Sequence, residues 1–213
     1  MDFMDEQVAE MTKHARQKKR MENIENQLLH TDIVKAIKDG QLTIEDETME
    51  FVKIGFYDDQ ILMYIPTAFE MMTPELMDIK YPSSRRPEYI YTSESTSINV
   101  TMKMMEQEIK PEELEDFTHN MMNMLRKLQP NAEMLDIGMK EVNGVQIGYF
   151  DFITPALDSK IYNLMFLFMV GENVTMGSVN CLKKEMNIWK PLAYGMMESI
   201  SIENKILDGE GVV

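Results

Sequence analysis

Glu133-Met-Leu-Asp-Ile-Gly-Met-Lys-Glu-Val-Asn143-Gly144-Val-Gln-Ile-Gly-Tyr-Phe-Asp-Phe-Ile153 carries the turn chemistry on which the fold depends. Asn143-Gly144 supplies the two positive φ angles of a type I′ turn, whose twist matches that of the strands it joins. The stretch therefore predicts a hairpin with strands over 133–142 and 145–153. Downstream, 161–170, the turn Gly171-Glu172-Asn173 and 174–182 predict a second hairpin, with a polar loop at 154–160 between the two.

Upstream the same signals recur. A first strand is expected over 42–46, and a hairpin over 49–56 and 60–65 around Tyr57-Asp58-Asp59, stopped by Pro66. Strands at 88–92 and 96–104 flank a Ser-Glu-Ser turn. Ile98, Val100 and Met102 alternate with Asn99, Thr101 and Lys103, which gives the second of these strands one wet face.

Helices punctuate this order. Over 111–129 the period lengthens, with Leu114, Phe117, Met121, Leu125 and Leu128 on one stripe, acids in the first turn and Arg126 and Lys127 in the last. A closing helix over 187–199 turns Trp189, Leu192, Met196 and Ile200 inward. Thr73-Pro74-Glu75 starts a short helix, and Thr31 or Asp32 caps another that Gly40 ends.

Residues 2–29 form a helix without Pro or Gly. Its apolar stripe, Met4, Val8, Met11 and Ala15, slips phase across the cationic stretch Arg16 to Arg20 and resumes at Met21, Ile24 and Leu28. A stripe so thin must pack on something else to be stable. The helix is expected to be an arm for self-association or docking. Hairpins followed by amphipathic helices predict an α+β fold, a largely antiparallel sheet flanked by helices as an α/β/α sandwich. The expected organisation is an arm over 1–38, a sandwich domain over 39–203 and a flexible tail over 204–213.

Composition excludes several functions. The net charge is −15, from 21 basic and 36 acidic residues, and such a field repels phosphate backbones and anionic membranes alike. No run approaches the roughly 20 apolar residues that span a bilayer. The N-terminus is acidic where a signal peptide would be basic, and the lone Cys181 forms no internal disulfide, so a cytoplasmic protein is expected. The chain holds 23 methionines, flexible side chains that fill cores and also suit promiscuous partner surfaces.

The search for chemistry returns little. His14, His30 and His119 lie on different elements without a second ligand at metal spacing, and Cys181 ends an apolar strand where burial would raise its pKa. No phosphate loop, nucleophile elbow or dinucleotide fingerprint is present, and no cofactor is expected. Two places stand out. Asp151, Asp158 and Lys160 flank the 154–160 loop, where a cleft would suit a small ligand or hydrolysis. The loop closed by Pro82 and Pro87 gathers Tyr81, Arg85, Arg86, Tyr89 and Tyr91, guanidinium forks beside rigid amphipathic rings of the kind enriched at interfaces.

Tyr81-Pro82-Ser83 with Arg86-Pro87-Glu88-Tyr89, the hairpin ending Gly177-Ser-Val-Asn-Cys181, the Trp189 helix and the order of elements resemble bacterial proteins of the PsbP-like fold over roughly residues 40–202. That fold is shared by the extrinsic PsbP subunit of photosystem II, a Ran-binding nuclear import factor and some bacterial lipoproteins, and this sequence lacks the lipoproteins' lipid-attachment cysteine near its start. The resemblance carries no functional residue across. It implies a non-enzymatic interaction or assembly module that docks on a protein partner. The alternative is a small-molecule-binding protein or hydrolase with its cleft around 151–160.

Overall fold

The computed structural model describes residues 2–203, apart from the side chains of residues 2–6, 9 and 14. The expected tail over 204–213 lies outside the described residues. In chain order the elements are α1 (Asp2–His30), α2 (Ile33–Lys38), β1 (Gln41–Ile44), β2 (Glu47–Phe56), β3 (Ile61–Pro66), β4 (Glu70–Met71), α3 (Pro74–Lys80), β5 (Tyr89–Thr92) and β6 (Asn99–Glu108). There follow α4 (Leu114–Leu128), β7 (Glu133–Val142), β8 (Val145–Pro155), β9 (Lys160–Val170), β10 (Asn173–Leu182), α5 (Met186–Met197) and β11 (Ser201–Ile202). No helix among the described residues is long and apolar enough to cross a membrane.

All strand pairings are antiparallel, and Asn143 (φ 50°) and Gly144 (φ 79°) make the expected tight turn between β7 and β8. The expected single sheet is instead two. β4-β5-β6-β10-β9-β8-β7 form a seven-stranded sheet, and β1-β2-β3-β11 a separate four-stranded one. Pro66 closes β3 opposite Phe51, and the chain turns at once through Thr67 and Phe69, whose N–H groups bond Glu50 and Pro66 carbonyls. β11 then pairs with the free edge of β3, so the small sheet is finished before it can meet β5.

Alternation sorts the large sheet into two apolar faces. Phe150, Phe152, Leu167 and Val174 lie with Leu114 under α4. Ile147, Ile153, Tyr162, Leu164, Phe166 and Phe168 point the other way, into one core with α5, α2, the small sheet and the root of α1. α5 is the spine of that core, burying Trp189, Leu192, Ala193, Gly195, Met196 and Met197. At its end Ser199 accepts a hydrogen bond from the Tyr64 N–H (2.9 Å) and donates one to the Met196 carbonyl (2.7 Å), tying helix to small sheet.

α2 crosses α5 at Gly195. A Cβ built there would sit 2.8 Å from both Ile33 Cγ2 and Ile37 Cδ1, so a larger residue must push the helices apart. Gly195→Val is expected to cost about 1–3 kcal/mol, the range for overpacking a core, as measured by urea denaturation.

Candidate interaction site

The loop between α3 and β5 is fastened down by side chains from elsewhere in the chain. Arg86 pairs with Asp78 at 2.5 Å, and the Lys103 ammonium donates to the Arg85 and Arg86 carbonyls at 2.9 and 3.4 Å. Tyr57 donates to Glu88 (2.7 Å) and accepts from the Met104 N–H (2.6 Å), and burial, with Glu88 adding to it, lifts its phenol above the ordinary range. Tyr57 reaches this position from a turn in which Tyr57, Asp58 and Asp59 all hold positive φ (52°, 54° and 63°), a conformation that costs free energy in non-glycine residues.

Tyr89 packs edge-on against Phe56 and Tyr57, with ring centroids 5.3 and 5.0 Å away, and Tyr91 lies edge-on to Phe56 at 6.0 Å. Tyr81 is half-buried; desolvation raises its pKa and a hydrogen bond with Asn180 opposes that rise. Of the five loop residues, Arg85 alone presents an exposed side chain with no partner among the described residues.

Asp151 does not stand in a cleft with Asp158 and Lys160. It shares the inward face of β8 with Ile147 and Ile153 and is 0% exposed. Lys160 pairs with Pro155, about 13 Å farther along the strand at roughly 3.3 Å per residue. Asp158 and Lys160 line a separate surface hollow with Lys183 and Lys184. Asp151 instead accepts bonds from the Asp136 N–H (2.8 Å) and the Tyr162 hydroxyl (3.0 Å), hydrogen-bonds Tyr194, and pairs with the Lys190 ammonium at 2.7 Å. That ammonium lies 5.8 Å from the ring centroids of both Tyr162 and Tyr194. Burial, reinforced by the Asp151 charge, pushes both phenols well above their ordinary range. A carboxylate with every oxygen occupied serves as an anchor for α5. Among the described residues no three His, Cys, Asp or Glu side chains gather at metal-ligand spacing.

A wide depression lies elsewhere, where the root of α1 meets β1, β2 and α5. It is a groove of about 630 Å³, floored by Ile24, Ile44, Met49, Ile188 and Trp189. Its rim is acidic: Glu45, Glu47 and Glu50, with Arg20 of α1 bonded to Glu45 at 2.6 Å and 3.8 Å from Glu47. Gln27 holds the walls together, donating to the Thr43 carbonyl and accepting from the Glu45 N–H, each at 2.8 Å. Trp189 is braced from behind by Phe69, 5.6 Å between centroids. Sequence reading placed Ile24 on the stripe of the arm and Trp189 on the inward face of the closing helix, but gave none of these residues a place in a site. Their one advance signal was Met49, an apolar side chain among the otherwise polar first four residues of β2.

No family model and no curated protein sequence matches the chain. Among solved structures it is similar to the solution structure of cyanobacterial PsbP (CyanoP) from Synechocystis sp. PCC 6803, at 11% identity and TM-score 0.54, over 72% of this chain and 92% of that one. It is also similar to the crystal structure of LpqN of Mycobacterium tuberculosis, described as involved in cell envelope biogenesis, at 13% identity and TM-score 0.51, over 76% and 97%.

The fold is PsbP-like.

Within this PsbP-like domain the anchor at Asp151 makes one prediction and the buried Cys181 another. Lys190→Met leaves a buried anion without its cation and is expected to cost about 2–4 kcal/mol in urea denaturation, somewhat under the usual cost of breaking a buried pair because the Lys190 side chain is 33% exposed. Lys140→Met, which breaks the more exposed pair with Glu198, should cost no more than about 1 kcal/mol. Cys181 provides the second. Burial pushes its thiol from 9.0 up to about 12, so its contribution to stability is complete below pH 9.0 and is lost as pH rises towards 12. Alkylation at neutral pH, followed by mass spectrometry, should leave Cys181 unmodified in the native protein and label it in urea.

Proposed function

We propose that the chain is a non-enzymatic protein-interaction module that receives a basic amphipathic helix of a protein partner in the groove at the root of α1. The groove itself carries this reading: an apolar floor inside a rim of three glutamates, only partly offset by Arg20, matches a helix with one apolar face flanked by lysines or arginines. The floor offers no convergent set of polar groups of the kind that fixes a small substrate. The overall charge of −15 favours approach of a basic partner and speeds its capture. Arg85, free on the α3–β5 loop, is proposed as a secondary contact for an acidic group on the same or another partner.

The chain's one tryptophan makes the test direct, because Trp189 lies in the groove floor. Titration with a synthetic Leu/Lys amphipathic helical peptide is expected to shift Trp189 emission saturably, with affinity falling as salt is raised. Glu47→Lys with Glu50→Lys should weaken binding about tenfold, and Ile188→Glu should abolish it. Unchanged emission, or equal binding by the Ile188→Glu protein, rules the groove out.

A further inference from the structure

Lys160, Lys183 and Lys184 gather around one hollow in a chain that carries 36 acids against 21 bases. The sheet register brings them there. Leu182 at the end of β10 pairs with Ile161 of β9, and the next residue outward is Lys183 on one strand and Lys160 on the other. Lys184 follows in the short 3-10 turn that leads into α5. Like charges brought together across neighbouring strands repel, so the arrangement costs stability.

Nothing in the described fold offsets that cost. The lysines that form ion pairs among the described residues are Lys103, Lys140 and Lys190, and none of these three. Nearby acids are turned elsewhere. Glu185 accepts a hydrogen bond from the Ser97 hydroxyl at 3.5 Å, and Asp151 is held by Lys190 on the inward face of the sheet. Glu133 shares a neighbouring hollow with Lys160 but forms no ion pair with it among the described residues. Asp158 alone shares the lysines' rim, which sets three positive charges against one negative, a surplus of two.

We infer that this hollow binds a small phosphate monoester. Such a group carries a charge of nearly −2 at neutral pH, which matches the surplus. Ammonium groups on flexible stems meet phosphate as point charges, whereas a planar carboxylate is better matched by the guanidinium fork that this hollow lacks. Ser159 adds a hydroxyl that can donate. The volume of about 530 Å³ falls inside the range of roughly 300–1,000 Å³ usual for small-ligand sites. Leu182 and the lysine stems give the organic part of the ligand an apolar wall. A large polyanion would press against the rest of a body of charge −15; a small ion need meet only this spot, and the field from beyond ~8 Å is screened at physiological salt. The hollow shares no residue with the groove at the root of α1 and stands or falls without it.

Isothermal titration of the full chain with phenyl phosphate at low ionic strength tests it. Saturable one-to-one binding is expected. Lys160→Gln, or Lys183→Gln with Lys184→Gln, should weaken it about tenfold or more, while Lys53→Gln, an exposed lysine on the small sheet, should leave it unchanged. Asp158→Asn removes the one opposing charge and should tighten binding about threefold. The three lysines are exposed and outside any ion pair, so their variants should melt no lower than wild type. Benzoate should bind at least about tenfold more weakly than phenyl phosphate, and phosphatidic acid vesicles, which carry the same headgroup on a surface, should not sediment the protein. Absence of saturable binding, equal binding by the lysine variants, weaker binding on Asp158→Asn, benzoate as tight as phenyl phosphate, or capture by the vesicles would each overturn the inference.

Discussion

A carboxylate with no access to water determines where α5 lies. Asp151 on β8 is satisfied only when Lys190, Tyr162, Tyr194 and the Asp136 N–H converge on it, and two of those four belong to α5. A fully buried anion is costly unless every partner is in place. The pair therefore selects one seating of the helix on the large sheet. Apolar burial along Trp189, Leu192 and Met196 supplies most of the attraction, but such contacts tolerate sliding, whereas a charge pair at 2.7 Å does not.

From that seating the remaining architecture follows. α5 carries Gly195 to α2, Ser199 to β3, and Ile188 and Trp189 to the base of α1, so one helix joins both sheets and both N-terminal helices. The groove is a by-product of this arrangement, bounded by α1, β1, β2 and α5. The opposite face of the large sheet is built differently. Among the described helices α4 alone covers it, over half-buried methionines such as Met121, Met139, Met165 and Met176, and their flexible side chains fill the irregular space beneath one helix.

The antiparallel fold was legible because its signals are local. Asn143-Gly144, the alternation of Ile98, Val100 and Met102, and the stripe from Leu114 to Leu125 each declare an element within a few residues. What was not legible was long-range. Alternation does not say which strand pairs with which, so the split into two sheets was hidden, as were the two-residue strands β4 and β11 that have too little sequence to signal at all. Asp151 was read with Asp158 and Lys160 because they are near in the chain, although the two-residue period with Ile147 and Ile153 already aimed it at the core. The loop from Tyr81 to Tyr91 was read as a candidate partner-binding surface; the groups that fasten it, Asp78, Tyr57 and Lys103, are distant from one another in the chain. The groove, assembled from four elements, had no contiguous signature.

The central claim is that the Asp151–Lys190 pair holds α5, and through it the groove and the root of the arm, as one unit. Amide hydrogen exchange on Lys190→Met measures this most directly. The account predicts faster exchange together along α5, in β1–β2 and at the base of α1 around Ile24 and Leu28, with α4 still protected. Loss of protection spread evenly over the whole domain, or confined to the single turn around residue 190, would contradict it.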